Sequence, residues 1–302
     1  MPSEEIIKRP PEIFFEAFKK EMNVEDHIEF YCNRITEDRE TSLRVETYDS
    51  EKIARVVLEK YSVKSRMKGS VVMVFPKHDS DIPIFCCQIG GRGDRVIALL
   101  DIAPTTKDID YTPLIPVFEK YRDALGLGEI KAQWLTRTSS PYLLARHYDE
   151  LDCELFVEAM EAYLQIWIDH YYTPGKTLED PHQIDTVTNA LYRFKYVLHH
   201  NDPAYEYFAR SWGKGVADAF VHLECSDHPA YLPPEQLKSR VKPWFNPELN
   251  VEWTENAQLL AMEVPEGELD DVRNAMEERA RTNDFGIITP EIFTRFSETA
   301  PS

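Results

Sequence analysis

The sequence predicts an α+β fold: a three-layer α/β/α sandwich with a central, mainly antiparallel sheet that is flanked by helices. Two observations indicate this class. Segments with strand-like patterns precede segments with helical periodicity, and the connections between the strands are short, as antiparallel pairing allows. The chain has 302 residues, of which 43% are hydrophobic, so it is long enough to bury a large core.

The domain organisation follows from a change in pattern near the C-terminus. Residues 229–253 hold five prolines and two tryptophans with little periodicity. We therefore predict a single α/β/α domain over residues 1–228 and a C-terminal appendage over residues 229–302, packed on the same domain.

The first half of the chain carries most of the predicted strands. Apolar residues at helical spacing first predict an amphipathic helix over residues 10–31, and residues 50–60 are interpreted as helical or irregular. Apolar runs bounded by turn residues predict four strands: Thr41–Tyr48, Val71–Phe75, Pro83–Ile89 and Val96–Ile102. The glycine-rich stretch 90–94 predicts a hairpin turn.

Helices dominate the second half. Two short strands, Gln133–Arg137 and Tyr142–Arg146, are predicted there as well. Apolar stripes at three- and four-residue spacing predict these helices: Thr112–Leu125, Leu155–Tyr171, Ile184–His200, Asp202–Leu223 and Leu269–Ala280. Asp149 or Asp152 can cap the second of them, and Asp202 followed by proline is a typical start of the fourth.

Composition excludes several classes of protein. The net charge of −19 repels nucleic acid and anionic membrane surfaces, so we expect neither as a partner. The N-terminal 30 residues hold no secretory hydrophobic region, and no window approaches 18 apolar residues. The five cysteines form no CxxC motif and no closed disulfide set. We therefore expect a reducing compartment, the cytoplasm, or an organelle stroma such as that of a plastid if the source is eukaryotic.

Two groups of residues have the chemistry of a metal site without its spacing. His222, Cys225 and His228 are zinc ligand types, but no second ligand pair completes the set. The adjacent His199 and His200 point about 100° apart on a helix, so they cannot chelate one ion together. We predict no bound metal.

Other polar features have alternative interpretations. Asn201 and Asp202 form either a helix end with its N-cap or part of a functional site. Cys86 and Cys87 face opposite sides of their strand, so one is expected in the core and the other beside a cavity. The basic stretch 51–68 is either a docking surface for an acidic protein or anionic ligand, or an ordinary mixed surface.

Several segments, in this order, resemble the ferredoxin-dependent bilin reductases. They are VVMVFP followed by SDIPIF, VIALLDIAP with Asp101 and Pro104, SPYLLAR, AYLQIWIDHYY and NDPAYEYFARSWGKGVADAFVHL. Together they extend from about Lys52 to Leu223. The resemblance implies an antiparallel sheet sandwiched by helices. It also implies reduction of linear tetrapyrroles without metal or flavin, with electrons from reduced ferredoxin and protons from side chains.

The resemblance also implies roles for individual residues, and two central positions depart from the family pattern. Val71 stands where the family has histidine or asparagine, and Gln88 where it has aspartate. Cys86 replaces the glycine that follows the phenylalanine of that motif. These three residues are expected to contact the substrate. Gln88 would orient it, since an amide cannot donate a proton as a carboxylic acid does.

Four further residues match family positions with polar roles. Glu59 aligns with a glutamate that some members use, and Asn201 and Asp202 match the pair that opens a late helix. We predict that Glu59, Asn201 and Asp202 are catalytic and handle protons. Arg146 matches an arginine of the sheet and is predicted to bind substrate carboxylates.

The predicted function is ferredoxin-dependent reduction of an open-chain tetrapyrrole or a similar conjugated molecule, without a bound cofactor. Two alternatives stay open at this point. The same fold could serve a non-tetrapyrrole secondary metabolite, as the changes at Val71 and Gln88 suggest. The protein could also bind a bilin without turning it over.

Overall fold

The computed structural model describes residues 3–298, except 26, 37–38, 64–66, 93–94, 126–132, 149–151, 202–203 and 226–243. Its centre is a seven-stranded sheet in which every strand pairs antiparallel with its neighbour in the chain. The strands are β1 (Ile28–Thr36), β2 (Arg39–Tyr48), β3 (Ile53–Val63), β4 (Met67–Pro76), β5 (Ile84–Arg92), β6 (Arg95–Ala103) and β7 (Leu144–Tyr148). This meander is what the short connections predict.

Helices cover both faces of the sheet, and the predicted three-layer fold is confirmed. One face packs against α1 (Glu4–Phe18), α2 (Ile115–Leu125) and α3 (Cys153–Ile166). The other face packs against α4 (Pro181–Asn201), α5 (Ala204–Trp212) and α6 (Lys214–Cys225). Side chains alternate between the two layers along each strand, so that Val72 and Val74 lie in the first while Val71 and Met73 lie in the second.

Two predictions for the first 60 residues were wrong. The helix expected over residues 10–31 spans Glu4–Phe18, and the last residues of that range start β1 instead. Residues 50–60 hold most of β3, whose buried side chains serve both layers. A strand buried on both faces loses the simple alternation that identifies a strand, and the charged residues in this one hide it further.

Three differences affect the second half. Gln133–Arg137 is a 3-10 helix and not a strand. The helix predicted to reach Tyr171 is α-helical to Ile166 and continues as a π-helical turn over Trp167–Tyr172. The predicted Asp202–Leu223 helix is two helices, because Gly213 adopts a φ of 100° between them. The cap at Asp152 is confirmed, since its carboxylate accepts a hydrogen bond from the Leu155 amide.

The C-terminal segment, residues 244–298, has an apolar cluster of its own around Trp253. Its elements are β8 (Phe245–Asn246), β9 (Val251–Trp253), α7 (Glu255–Ala261), α8 (Leu269–Thr282), β10 (Ile287–Ile288) and α9 (Pro290–Glu298). It contacts α4 directly: the Tyr196 hydroxyl donates to the Trp253 carbonyl at 3.1 Å, and Arg295 pairs with Asp185 at 2.8 Å. The predicted boundary at 228/229 falls outside the described ranges and stays a prediction.

Candidate active site on the sheet face beneath α4 to α6

Three of the predicted site residues lie side by side across the middle of the sheet. Glu59 on β3 pairs in register with Val71 on β4, and Val71 pairs with Gln88 on β5. Leu99 on β6 continues the same row. Since directly paired residues of antiparallel strands project to the same face, Glu59, Val71 and Gln88 form one continuous line, which we call the central row.

The central row lies beneath the helices α4, α5 and α6. Val71 belongs to the apolar layer that these helices complete with Phe194, Phe208 and Trp212. Glu59 is 1% exposed and Val71 is 8% exposed, while Gln88 is partly buried. A carboxyl group held in such an apolar layer is the kind of group that proteins use for proton transfer.

The neighbouring cysteines face opposite sides of the sheet as predicted, and both are buried. Cys86 lies two positions from Gln88 on the same face and is 8% exposed. Cys87 is fully buried in the opposite layer, and burial raises the pKa of its thiol above the ordinary value of 9.0. Cys86 is therefore the cysteine that borders the central row.

Tyr61 is a member of this site that the sequence did not single out. It pairs with Gly69, which in turn pairs with Gly90, in the row next to the central row. The phenol ring lies across both glycines: a Cβ at Gly69 would overlap the ring, and a Cβ at Gly90 would lie 2.9 Å from its hydroxyl oxygen. Two glycines facing one tyrosine on adjacent strands were the available signal.

The register places Arg146 differently from the other sheet residues. It pairs with Ala98, which belongs to the layer on the far side of the sheet, whereas Ala145 is the β7 residue that continues the central row. The side chain of Arg146 lies outside the described part of the chain, so its role in carboxylate binding stays a prediction.

The polar residues at the end of α4 are His200 and Asn201, and Asp202 follows them in the chain. Asn201 is the last residue of α4, and its side-chain amide donates to the Val197 carbonyl at 2.7 Å. Asp202 falls outside the described residues. The His200 ring packs at a tilt of 46° against Tyr196, with ring centroids 4.1 Å apart, and burial lowers the pKa of the imidazole to about 4. His200 is therefore neutral near pH 7 and is not an acid there.

Two lysines of the basic stretch 51–68, Lys52 and Lys60, have partners within the protein. The Lys52 ammonium donates to the carbonyls of Tyr172 and Thr173, each at 3.1 Å, and Lys60 lies 3.4 Å from the Glu12 carboxylate. These two cations stabilise the packing of the sheet against neighbouring helical segments. They are poor candidates for a docking surface.

Among the described residues, no group of three histidine, cysteine or acidic side chains is placed to hold a metal ion. Of the three residues with zinc-ligand chemistry, His228 and the side chains of His222 and Cys225 lie outside the described part of the chain. None of the helices in the described part has both the length and the apolar character needed to cross a membrane.

A buried carboxyl, Asp101, lies near the central row on the same face. It pairs with Cys86, and its two oxygens accept hydrogen bonds from the Ser140 amide at 3.0 Å and the Ser140 hydroxyl at 2.5 Å. Burial raises its pKa from 3.8 to about 7, against the opposing effect of the Ser140 hydrogen bonds. Asp101 lies in the segment VIALLDIAP, but its burial depends on the distant loop that contains its partner Ser140.

Asp101 makes the stability of the fold depend on pH. A carboxyl whose pKa is higher in the folded state binds its proton more tightly when folded, so its contribution is complete below pH 3.8 and is lost as the pH rises towards 7. We expect the Asp101→Asn variant to lack this loss, which amounts to a few kcal/mol. Urea unfolding of both proteins between pH 4 and pH 8 measures it. Parallel pH profiles for the two would contradict the expectation.

Comparison with known proteins identifies the class. A protein-family model described as ferredoxin-dependent bilin reductase matches residues 16–223, which contain the whole sheet and all the predicted site residues. The chain belongs to the ferredoxin-dependent bilin reductase family, and the prediction of an oxidoreductase of this kind is confirmed.

A solved structure supports the fold. The crystal structure of phytochromobilin synthase from tomato, in complex with biliverdin, aligns with a TM-score of 0.63. The alignment covers 73% of this chain and 84% of that chain at 20% sequence identity, so it establishes a shared fold. A comparison with the curated proteins finds no match.

Proposed function

We propose that this protein reduces a double bond of an open-chain tetrapyrrole, with electrons from reduced ferredoxin and protons from its own side chains. The central row carries the proposal. It places a buried carboxyl, Glu59, two strands from a polar amide, Gln88, with the apolar Val71 between them. An apolar layer with a few convergent polar groups is the usual character of a site for a conjugated organic molecule.

The chemistry requires two electrons and two protons for each double bond that is reduced. Ferredoxin would supply the electrons one at a time, and protons would reach the substrate from acidic side chains. Glu59 is the central-row residue that can donate a proton, with Asp202 as the second proposed donor and Asn201 as its positioning partner. Gln88 would orient the substrate, because its amide both donates and accepts hydrogen bonds without supplying a proton.

The lack of a polar group at Val71 defines how this chain would differ from its relatives. Val71 fills the middle of the central row with an apolar side chain that is 8% exposed. Proton delivery is therefore proposed to come from the Glu59 end of the row and not from its centre. The phenol ring of Tyr61, one row away, covers Gly69 and Gly90 and so bounds the central row on that side.

Binding of the two partners rests on charge. Arg146 is proposed to bind substrate carboxylates through its planar guanidinium group, which would reach them around the β7 edge of the sheet because its register partner Ala98 belongs to the opposite layer. Ferredoxin is proposed to dock on basic residues of this otherwise acidic chain. Lys52 and Lys60 have internal partners and are not proposed as part of that contact.

Two alternatives stay distinct from this proposal. The changes at Val71 and Gln88 motivate a non-tetrapyrrole substrate on the same fold, and they equally suit a carrier that binds a bilin without turnover. An anaerobic titration with biliverdin, before and after addition of reduced ferredoxin, separates all three. We expect a shift of the visible absorption band on binding and a second change on reduction. Binding without the second change would select the carrier, and no binding would exclude a tetrapyrrole.

A further inference from the structure

A cleft lies where the C-terminal segment meets α4 and the end of β6. Its volume is about 390 Å³, within the range of small-molecule sites. One wall is formed by Ala190 and Arg193 of α4, a second by Arg137 and its neighbours, and the third by residues around Asn250. The third wall belongs to residues 244–298, which lie outside the matched family segment 16–223.

The charge of this cleft is opposite to that of the chain. Its lining includes four cationic side chains, Lys107, Arg137, Arg193 and Arg281, and one carboxylate, Asp284. The protein as a whole carries a net charge of −19. A concave, cationic lining on a strongly anionic molecule concentrates anions there.

Two of the four cations are already neutralised by partners of their own. The Lys107 ammonium lies 2.6 Å from the Asp284 carboxylate, and Arg281 pairs with Glu278 on the same helix. These pairs leave Arg137 and Arg193 as the source of the excess positive charge.

Arg137 and Arg193 share a single carboxylate. Glu252 lies 3.2 Å from Arg137 and 3.9 Å from Arg193, and its side chain is 4% exposed. Asn250, which adopts a left-handed backbone with φ 53°, accepts a hydrogen bond from Arg193 at 2.6 Å. Among the described residues, two guanidinium groups share this one carboxylate, which leaves one positive charge in excess in a largely desolvated place.

Arg193 is incompletely satisfied in this arrangement. Its side chain is 11% exposed, and its Nε–H is buried without a hydrogen-bond acceptor among the described residues. Burial lowers the pKa of the guanidinium to about 10, while Glu252 acts in the opposite direction. A buried donor group that lacks an acceptor is rare and calls for an explanation.

Apolar side chains line the rest of the cleft. Phe194 and Phe285 contribute from α4 and from the C-terminal segment, together with Leu249 and Val251. Phe194 is 9% exposed and Phe285 is 3% exposed, so the cleft presents narrow apolar edges and not an open apolar surface. Guanidinium groups beside such edges match a small organic anion whose apolar part contacts them.

We propose that this cleft binds a small organic carboxylate, with its charged group held by Arg137 and Arg193 and its apolar body against Phe194 and Phe285. The planar guanidinium group matches a carboxylate geometrically through paired hydrogen bonds. Glu252 is the internal competitor of that ligand. The site is independent of the proposed reductase function, because it lies where α4 meets the C-terminal segment and uses none of the central-row residues.

Isothermal titration of the intact protein with benzoate tests this proposal, with benzamide as the neutral analogue and inorganic phosphate as the anion without an apolar body. We expect saturable benzoate binding, with at least about tenfold weaker binding of benzamide and of phosphate, as expected when one charged hydrogen-bonded group or one ring burial is lost. Equal binding of benzoate and benzamide, or phosphate binding stronger than benzoate binding, would overturn it.

Two variants make the test specific to the guanidinium pair. Glu252→Gln removes the competing carboxylate, so we expect benzoate to bind about tenfold more tightly, a gain that a purely structural ion pair does not predict. Arg193→Gln should abolish binding, while Arg122→Gln, which removes an exposed cation of α2, should leave it unchanged. Thermal melting shows whether each variant folds, and Arg137→Gln replaces Arg193→Gln if the latter does not. Unchanged benzoate affinity in folded Glu252→Gln and Arg193→Gln proteins would overturn the proposal.

Discussion

Replacement of Glu59 by glutamine is expected to slow bilin reduction by about 10²- to 10⁴-fold, the usual contribution of a positioned general acid. The substitution keeps the shape of the side chain and removes its ionisable proton. Glu59 is 1% exposed and lies in register with Val71 and Gln88, neither of which can donate a proton as an acid. The measurement is the single-turnover rate with biliverdin and reduced ferredoxin under anaerobic conditions.

A matched control for this variant comes from the neighbouring strand. Glu46→Gln removes a carboxyl on β2 that pairs with Arg44 and accepts a hydrogen bond from Tyr48, away from the central row. Its rate should stay within about twofold of the wild-type rate, as for a surface group that takes no part in the chemistry. Full activity of a folded Glu59→Gln protein would move the proton donor to another residue, with Asp202 the first to be tested.

Replacement of Trp167 by alanine is expected to have the largest effect on stability, a loss of about 3–5 kcal/mol in the free energy of unfolding. Its indole is fully buried in the layer beneath α1 and α3, and its ring N–H donates to the Pro83 carbonyl at 2.9 Å. Phe18, Phe85 and Tyr172 pack around the ring. The variant removes these contacts, leaves a cavity and deprives a buried carbonyl of its donor.

Urea unfolding compares this variant with Met262→Ala, which truncates a side chain that is 53% exposed at the end of α7. The control should change the free energy of unfolding by no more than about 0.5 kcal/mol. A loss below 1 kcal/mol for Trp167→Ala would mean that the first layer rearranges to fill the space. The π-helical turn that begins at Trp167 would then not be fixed by its packing.

The sequence predicts the fold class well because the middle strands and the later helices carry clear local patterns. β4, β5 and β6 follow one another with short turns, and the long stripes of α3 and α4 have helical spacing. β3 was missed because both of its faces are buried and because Arg55, Glu59 and Lys60 interrupt its apolar pattern. Burial on both faces is a property of the assembled sheet and leaves little trace in one strand.

The site was predictable only in part, for a similar reason. The sequence identified Glu59, Val71 and Gln88 through resemblance, and the register of three strands brings them into one row. Tyr61 and Asp101 depend on contacts between distant segments, with Gly69 in one case and Ser140 in the other. The pairing of Arg146 with Ala98 also depends on the register of β6 and β7. A shift of one residue would move the side chains of β7 to the opposite face of the sheet.

The cationic cleft was likewise not predictable from the sequence. Arg137, Arg193 and Glu252 lie far apart in the chain and meet where the C-terminal segment packs on α4. The net charge of −19 gives no sign of a local excess of positive charge. Only the tertiary structure brings these residues together.

The central claim is that this chain reduces an open-chain tetrapyrrole. Anaerobic incubation of the protein with biliverdin and chemically reduced ferredoxin, followed by mass spectrometry of the pigment, tests it most directly. We expect a product heavier by the mass of two hydrogen atoms, formed by the wild-type protein and hardly at all by Glu59→Gln. Recovery of unchanged biliverdin from a protein that binds it, with ferredoxin fully reduced, would contradict it.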